Sequence, residues 1–350
     1  MATLDIEAQN YRESGKKYIG SVVAKLQDVN DEVSSIKIEN KSRLDEAAPP
    51  TASIATNINA AAKPKVLKAL RHRKQFSAVV DGDKDTPVIT DAKLLSDELL
   101  VVADARHWCL KLFDTHGKYN CSRTCSSAPY RLARIVTSWD FSDVYIHTMA
   151  LTRPNSNSID LFEVTRYEIK LKATLEMQAS YEAIATVDQH TLAVGYGSLS
   201  QTGIDLINLN GQVLYQISPF IEPFYMDCAD GLDLMCSTPD DEKVLIVNVL
   251  TGRILTDNRC DISTASIMRA LPQLMKPSGV TNSSCGSLLI ADGMNRTLHL
   301  AFARADWAKT IWTHPQGGDQ DDQLSSVSVY NGVCICATER GSLFVLDDMP

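Results

Sequence analysis

The first 71 residues contain neither cysteine nor histidine, which excludes from that stretch a RING, a B-box or any other zinc module built on those side chains. Nine cysteines follow between Cys109 and Cys336, but none forms a Cys-x-x-Cys pair. Cys121 and Cys125 lack the second pair or the histidines that zinc-finger spacing requires. With no basic, apolar leader at Met1-Ala2-Thr3-Leu4-Asp5, an odd number of thiols points to reduced cysteines in a cytoplasmic protein. They are expected to fill strand positions as small apolar groups. Apolar runs of bilayer length are missing, so no membrane association is expected. A Walker loop and a His-Glu-x-x-His pair are missing too, and Gly195-Tyr196-Gly197-Ser198-Leu199 lacks the second glycine of a nucleophile elbow. The seven histidines share no ligand spacing. The sequence therefore leads us to expect no enzyme, no metal and no cofactor.

Positive charge is also short. Net charge is −9, and residues 1–63, with eight basic and nine acidic side chains, account for little of it. The remaining 26 basic and 34 acidic residues leave −8 on residues 64–350, a poor balance for general phosphate-backbone binding.

The chain divides into three parts. In residues 1–45, Ile19, Val22, Leu26, Val29, Val33 and Ile36 alternate steps of three and four, the seam of a short amphipathic helix or coiled coil. Such a seam serves equally for packing on the body or for pairing two copies into a homodimer. Residues 46–63 are rich in Ala, Pro, Ser and Thr and read as a flexible linker. From residue 64 a strand pattern takes over. Apolar runs around Val102, Ile146, Val194, Met235, Ile290 and Ile335 recur at steps of 44, 48, 41, 55 and 45 residues. Each is preceded by another strand candidate, beginning near Pro87, Tyr130, Tyr181, Phe224, Ser278 and Ser325. Turns recur behind the third strand at Asp114–Gly117, Asn210-Gly211 and Thr251-Gly252, and Asn-Gly predicts a type I′ hairpin. A period of roughly 40–50 residues with these elements predicts an all-β, six-bladed β-propeller. Because the last unit stops at Leu343-Phe344-Val345-Leu346-Asp347, its outermost strand is expected from Phe76–Val80, which would clasp the ring.

Two units carry a more specific signature. Leu288-Leu289-Ile290-Ala291-Asp292 runs through Gly293-Met294-Asn295-Arg296 to Thr297-Leu298, and Leu100-Val101-Val102-Ala103-Asp104 runs to Cys109-Leu110, with His107 and Trp108 in place of Asn and Arg. At these residues the chain resembles the NHL-repeat propellers at the C-terminus of tripartite-motif (TRIM) proteins. The other four units keep only the strand-turn rhythm. The resemblance implies an NHL-like scaffold that binds a protein partner, related to the rear half of ubiquitin-pathway ligases. Ligase activity does not carry over without the RING. RNA binding, known in that family, is an alternative that the charge disfavours; a calcium-dependent lactonase-like hydrolase is another.

Asp104 and Asp292 occupy equivalent turn positions, where a carboxylate accepts backbone N–H bonds. A lactonase reading would instead gather Glu163, Asp227 and Asp292 around an ion. Tyr130, Arg131, Tyr181, Phe224 and Tyr225 open the inner strands and are the partner-binding candidates, with wedge packing between blades as the structural reading. The stripe from Lys63 to Lys74 reads as a solvated linker end.

Overall fold

The computed structural model describes residues 70–139, 145–197, 202–217, 222–229, 231–254, 273–282, 287–302, 308–315 and 321–348. The heptad seam of residues 19–36 and the linker lie outside the described residues.

Strand β1 (Leu70–Ser77) is followed by a first sheet of β2 (Ile89–Leu94), β3 (Leu99–Asp104), β4 (Cys109–Asp114) and β5 (Tyr119–Thr124). The second holds β6 (Leu132–Trp139), β7 (Tyr145–Arg153), β8 (Ser158–Val164) and β9 (Ile169–Glu176), the third β10 (Ala183–Asp188), β11 (Thr191–Gly197), β12 (Thr202–Asn208) and β13 (Val213–Ile217). In the fourth, β14 (Tyr225–Ala229), β15 (Asp233–Thr238) and β16 (Lys243–Asn248) are extended outward by a bridge from Val247 to Ile254. The fifth holds β17 (Pro277–Asn282), β18 (Ser287–Asp292), β19 (Thr297–Phe302) and β20 (Ala308–Thr313). The sixth holds β21 (Leu324–Tyr330), β22 (Val333–Thr338) and β23 (Ser342–Asp348), with β1 paired to β23 as its outer strand. Every sheet is antiparallel, and all but the sixth, which borrows β1, are simple meanders. Each of the innermost strands β2, β6, β10, β14, β17 and β21 touches the innermost strands of both neighbours. That closes a six-bladed propeller.

The second strands are apolar at nearly every position because a blade is buried on both faces. Val101 and Ala103 face the second blade, packing with Met149, Leu151 and Phe162. Leu100 and Val102 face the sixth, packing with Ile335, Leu343 and Val345. Equivalent clusters fill the other interfaces, so the core is six wedges rather than one centre. The described cysteines are free, and Cys109, Cys125, Cys236, Cys334 and Cys336 are buried within this packing.

Two local expectations are corrected. The clasp strand runs Leu70–Ser77, earlier than Phe76–Val80, because Ala78 already turns away, donating its N–H to Gly341 O. Residues 70–74 of the basic stripe are therefore an edge strand, whose exposed charges protect the ladder from further pairing. Asn210-Gly211 is not type I′. Only Gly211 has positive φ (+80°), Gly211 N–H bonds Asn208 O and Asn208 N–H bonds Gln212 O. This is a type I turn with a bulge, repeated at Asp114–Gly117. The Asn208 and Asp114 side chains decide the form by accepting N–H bonds from the turn.

Candidate functional site

Inner strands have an edge that no fourth neighbour covers, and their N–H groups need acceptors. Here the adjacent blade supplies them from side chains at alternate positions. Ser326 and Ser328 on β21 accept from Ala92 N (3.0 Å) and Leu94 N (3.1 Å) of β2. Asp91 on β2 accepts from Leu132 N of β6 (2.8 Å). Gly279 permits the same close approach between β17 and β21, since a Cβ there would lie 2.8 Å from Val327 N.

The same spacing carries polar groups across the axis. Tyr225, from the fourth blade, donates its hydroxyl to Asp91 Oδ1 of the first (3.0 Å). Arg131, from the second, donates Nε to Phe224 O (3.2 Å) and Nη1 to Thr90 O. Its guanidinium lies 4.7, 4.4 and 5.0 Å from the ring centres of Tyr130, Phe224 and Tyr225. Tyr130 and Phe224 meet edge to face at 6.1 Å. Arg131 and Tyr225 are buried, whereas Tyr130 and Phe224 are half-buried. This group closes one end of the channel. It unites four of the five partner-binding candidates. Tyr181 lies elsewhere, buried in the third blade, with its hydroxyl on Asp205 Oδ2 (2.5 Å) and its ring against Tyr196. Burial pushes the Asp91 carboxyl above its ordinary range, partly offset by Lys93 and Arg131. Burial, then proximity to Asp91, pushes the Tyr225 phenol well up. Glu182 beside this closure is raised by burial and by Glu222.

Beyond the closure lies a cavity of about 80 Å³. One polar side chain comes from each inner strand: Lys93, Arg134, Thr186, Asp227, Thr281 and Ser328. Lys93 Nζ sits 4.8 Å from the Tyr225 ring centre, and the Arg134 guanidinium 4.4 Å from that of Tyr330. Burial lowers the Arg134 pKa. His147, near Arg134, is driven down to about 4 by burial and by that positive charge.

The turn carboxylates are structural. Asp292, fully buried, accepts from the backbone N–H groups of Met275, Lys276 and Asn295 and from Asn295 Nδ2. Asp104 accepts from Val88, Arg106 and His107 N–H groups. Asp83, Asp104 and His107 form a cluster with metal-like spacing. The cationic place is taken by Lys111, whose Nζ lies 2.7 Å from both Asp83 Oδ2 and Asp104 Oδ2. Burial alone would raise the Asp104 carboxyl, but hydrogen bonds from Lys111 and His107 bring it below its ordinary value. The lactonase-type set does not assemble: Glu163 pairs with Lys172, Asp227 accepts from Thr281, and Asp292 holds its turn.

Asp91, Lys93, Arg134 and Lys111 escaped the sequence reading. A signal was available in Ile89-Thr90-Asp91-Ala92-Lys93-Leu94, where charges alternate through a strand otherwise suited to burial.

No protein-family model and no curated protein matches this chain. Among solved structures, a Bacteroides thetaiotaomicron protein of unknown function is similar at 9% identity and a TM-score of 0.53, over 80% of this chain and 73% of that one. An inactive virginiamycin B lyase from Staphylococcus aureus, crystallised with quinupristin, is similar at 12% identity and a TM-score of 0.49, over 77% and 83% of the two chains. The likeness to the Bacteroides protein shows the propeller fold alone. Among the described residues, no helix is long and apolar enough to cross a membrane.

Proposed function

We propose that the propeller is a non-enzymatic interaction module that takes a basic segment of a protein partner at the closed mouth of its channel. The observation that carries this reading is the pair of half-buried rings, Tyr130 and Phe224, set at the axis over a fixed guanidinium and beside Glu182 and Glu222. Aromatic groups held by their neighbours make contact at little entropic cost and are frequent binding anchors. The two glutamates repel each other, and a Lys or Arg from a partner relieves that repulsion. The likeness of Asp292–Leu298 to NHL blades supports a place beside the non-catalytic ends of TRIM proteins, with any ubiquitin transfer supplied by a recruited enzyme. Pairing of copies through residues 19–36 would raise effective concentration at the partner.

The test is affinity purification with the full chain and with a Tyr130→Ala/Phe224→Ala double variant, after matching their melting temperatures. Proteins retained by the wild type and lost from the variant, with retention falling as salt rises, are the expected result. The same prey on both baits would sink the proposal. A chain lacking residues 1–45 is expected to keep the same prey but release it faster.

A further inference from the structure

We infer that the axial cavity beyond the Arg131 closure is a binding site for a small oxyanion, with inorganic phosphate and sulfate as the simplest members of the class. It is separate from the mouth and does not depend on the partner-binding reading. What decides the ligand is which hydrogen-bonding groups are already used. Both carboxylates nearest the cavity are served. Asp227 Oδ1 accepts from Cys228 N (3.0 Å), and its Oδ2 accepts from Thr281 Oγ1 (2.7 Å) and Asn282 N (3.4 Å). Asp91 accepts from Ala92 N, Leu132 N and the Tyr225 hydroxyl.

The donors are not served. Lys93 is 7% exposed, yet among the described residues its ammonium has no carboxylate within 4.0 Å and no hydrogen-bond acceptor, and the Asp91 carboxyl acts on it only at longer range. The Tyr225 face orients that charge without neutralising it. Arg134 makes a single bond, from Nη1 to Leu95 O at 3.4 Å, which leaves its other N–H groups for the cavity. Ser328 Oγ accepts from Leu94 N and keeps its own hydrogen to donate. Three blades thus turn an ammonium, a guanidinium and a hydroxyl toward one void whose lining holds a single carboxylate, Asp227, already occupied by its own donors, so one of the two positive charges is left over. That surplus buried charge calls for an anion. Water hydrates such a group but does not neutralise it. Phosphate and sulfate offer acceptor oxygens in several directions, which suits a planar guanidinium beside a point charge. The volume of about 80 Å³ exceeds the ~10–15 Å³ that one water needs, leaving room for a tetrahedral ion with its residual hydration.

The experiment compares melting of the full chain in potassium phosphate, potassium sulfate and potassium chloride at matched ionic strength, for wild type and Lys93→Met. Phosphate and sulfate are expected to raise the wild-type melting temperature saturably above chloride, as binding to the native state requires. In Lys93→Met that increment should disappear, with affinity down about tenfold or more. Phosphorus NMR of inorganic phosphate titrated into wild-type protein, with competition by sulfate, stands without the variant. Broadening that sulfate reverses supports the site. No broadening, or an equal phosphate increment in Lys93→Met, overturns it. A phosphoserine arm separates sources: an increment with phosphate alone assigns the free ion, and one with both assigns a phosphoryl group on a larger molecule.

Discussion

Lys111 shows how one residue settles what a cluster is for. Two aspartates and a histidine within ligand distance of each other would suit a divalent ion, but an ammonium on the neighbouring strand already sits between the carboxylates and also donates to Ala78 O. Lys111→Ala leaves Asp83 and Asp104 facing each other without a cation. Breaking a buried pair in this way costs about 3–5 kcal/mol, so denaturant melts should show a loss of that order; an unchanged midpoint would mean the pair is dispensable. His147 sets a second residue-scale expectation. Its pKa is about 4 in the folded chain against ~6.5 unfolded. The unfolded chain therefore binds the proton first as pH falls. The stability this group contributes is complete above ~6.5 and is lost as pH drops toward 4, at up to about 1.4 kcal/mol per pH unit. His299 and His314, also lowered by burial, act in the same direction, while Asp91, raised by burial, opposes them. His147→Gln should flatten the acid limb of a stability–pH curve between 6.5 and 4.

At the scale of elements, the turns between second and third strands share a device that glycine usually supplies. Trp108, Asn157, Glu242 and Arg296, in four different blades, all sit in the left-handed region with φ between 44° and 55°. A non-glycine residue there costs roughly 1–2 kcal/mol, so the closely packed strands on either side must enforce the geometry. Glu242 is exposed and at the tip. Glu242→Gly should raise stability by about 1 kcal/mol, read as a higher denaturant midpoint; a lower one would place the controlling effect in the unfolded chain. The elements themselves were legible where they were buried on both sides. Runs such as Leu100–Ala103 and Leu288–Ala291 have no polar interruption, and their steps of 41–55 residues repeat. Turn geometry was less so, because the acceptor on Asn208, two residues before the Asn-Gly pair, overrides that pair's own preference. The clasp strand is hard to place from sequence because its residues, exposed on an outer edge, carry charge instead of alternating apolar groups. The channel groups were not legible as a set. Asp91 and Tyr225 lie 134 residues apart in the chain, and only ring closure brings them to 3.0 Å.

At the scale of the whole propeller, stability resides in six equivalent seams. The seam between the sixth and first blades brings the beginning of the ring against its end. A chain beginning at Ala78 keeps that seam but leaves β23 with an open hydrogen-bonding edge. It should melt earlier and self-associate through that edge, which light scattering would reveal; a monomer with unchanged melting would show the clasp to be ornamental. The clasp has a further consequence in time. A ribosome delivers β1 first, yet the strand has nowhere to go until Ser342–Asp348 emerges. The N–H groups of Ala92 and Leu94 likewise wait for Ser326 and Ser328. Early blades can form as they appear, but the ring stays an open arc, sticky at both ends, until its last strand emerges, and locks only then.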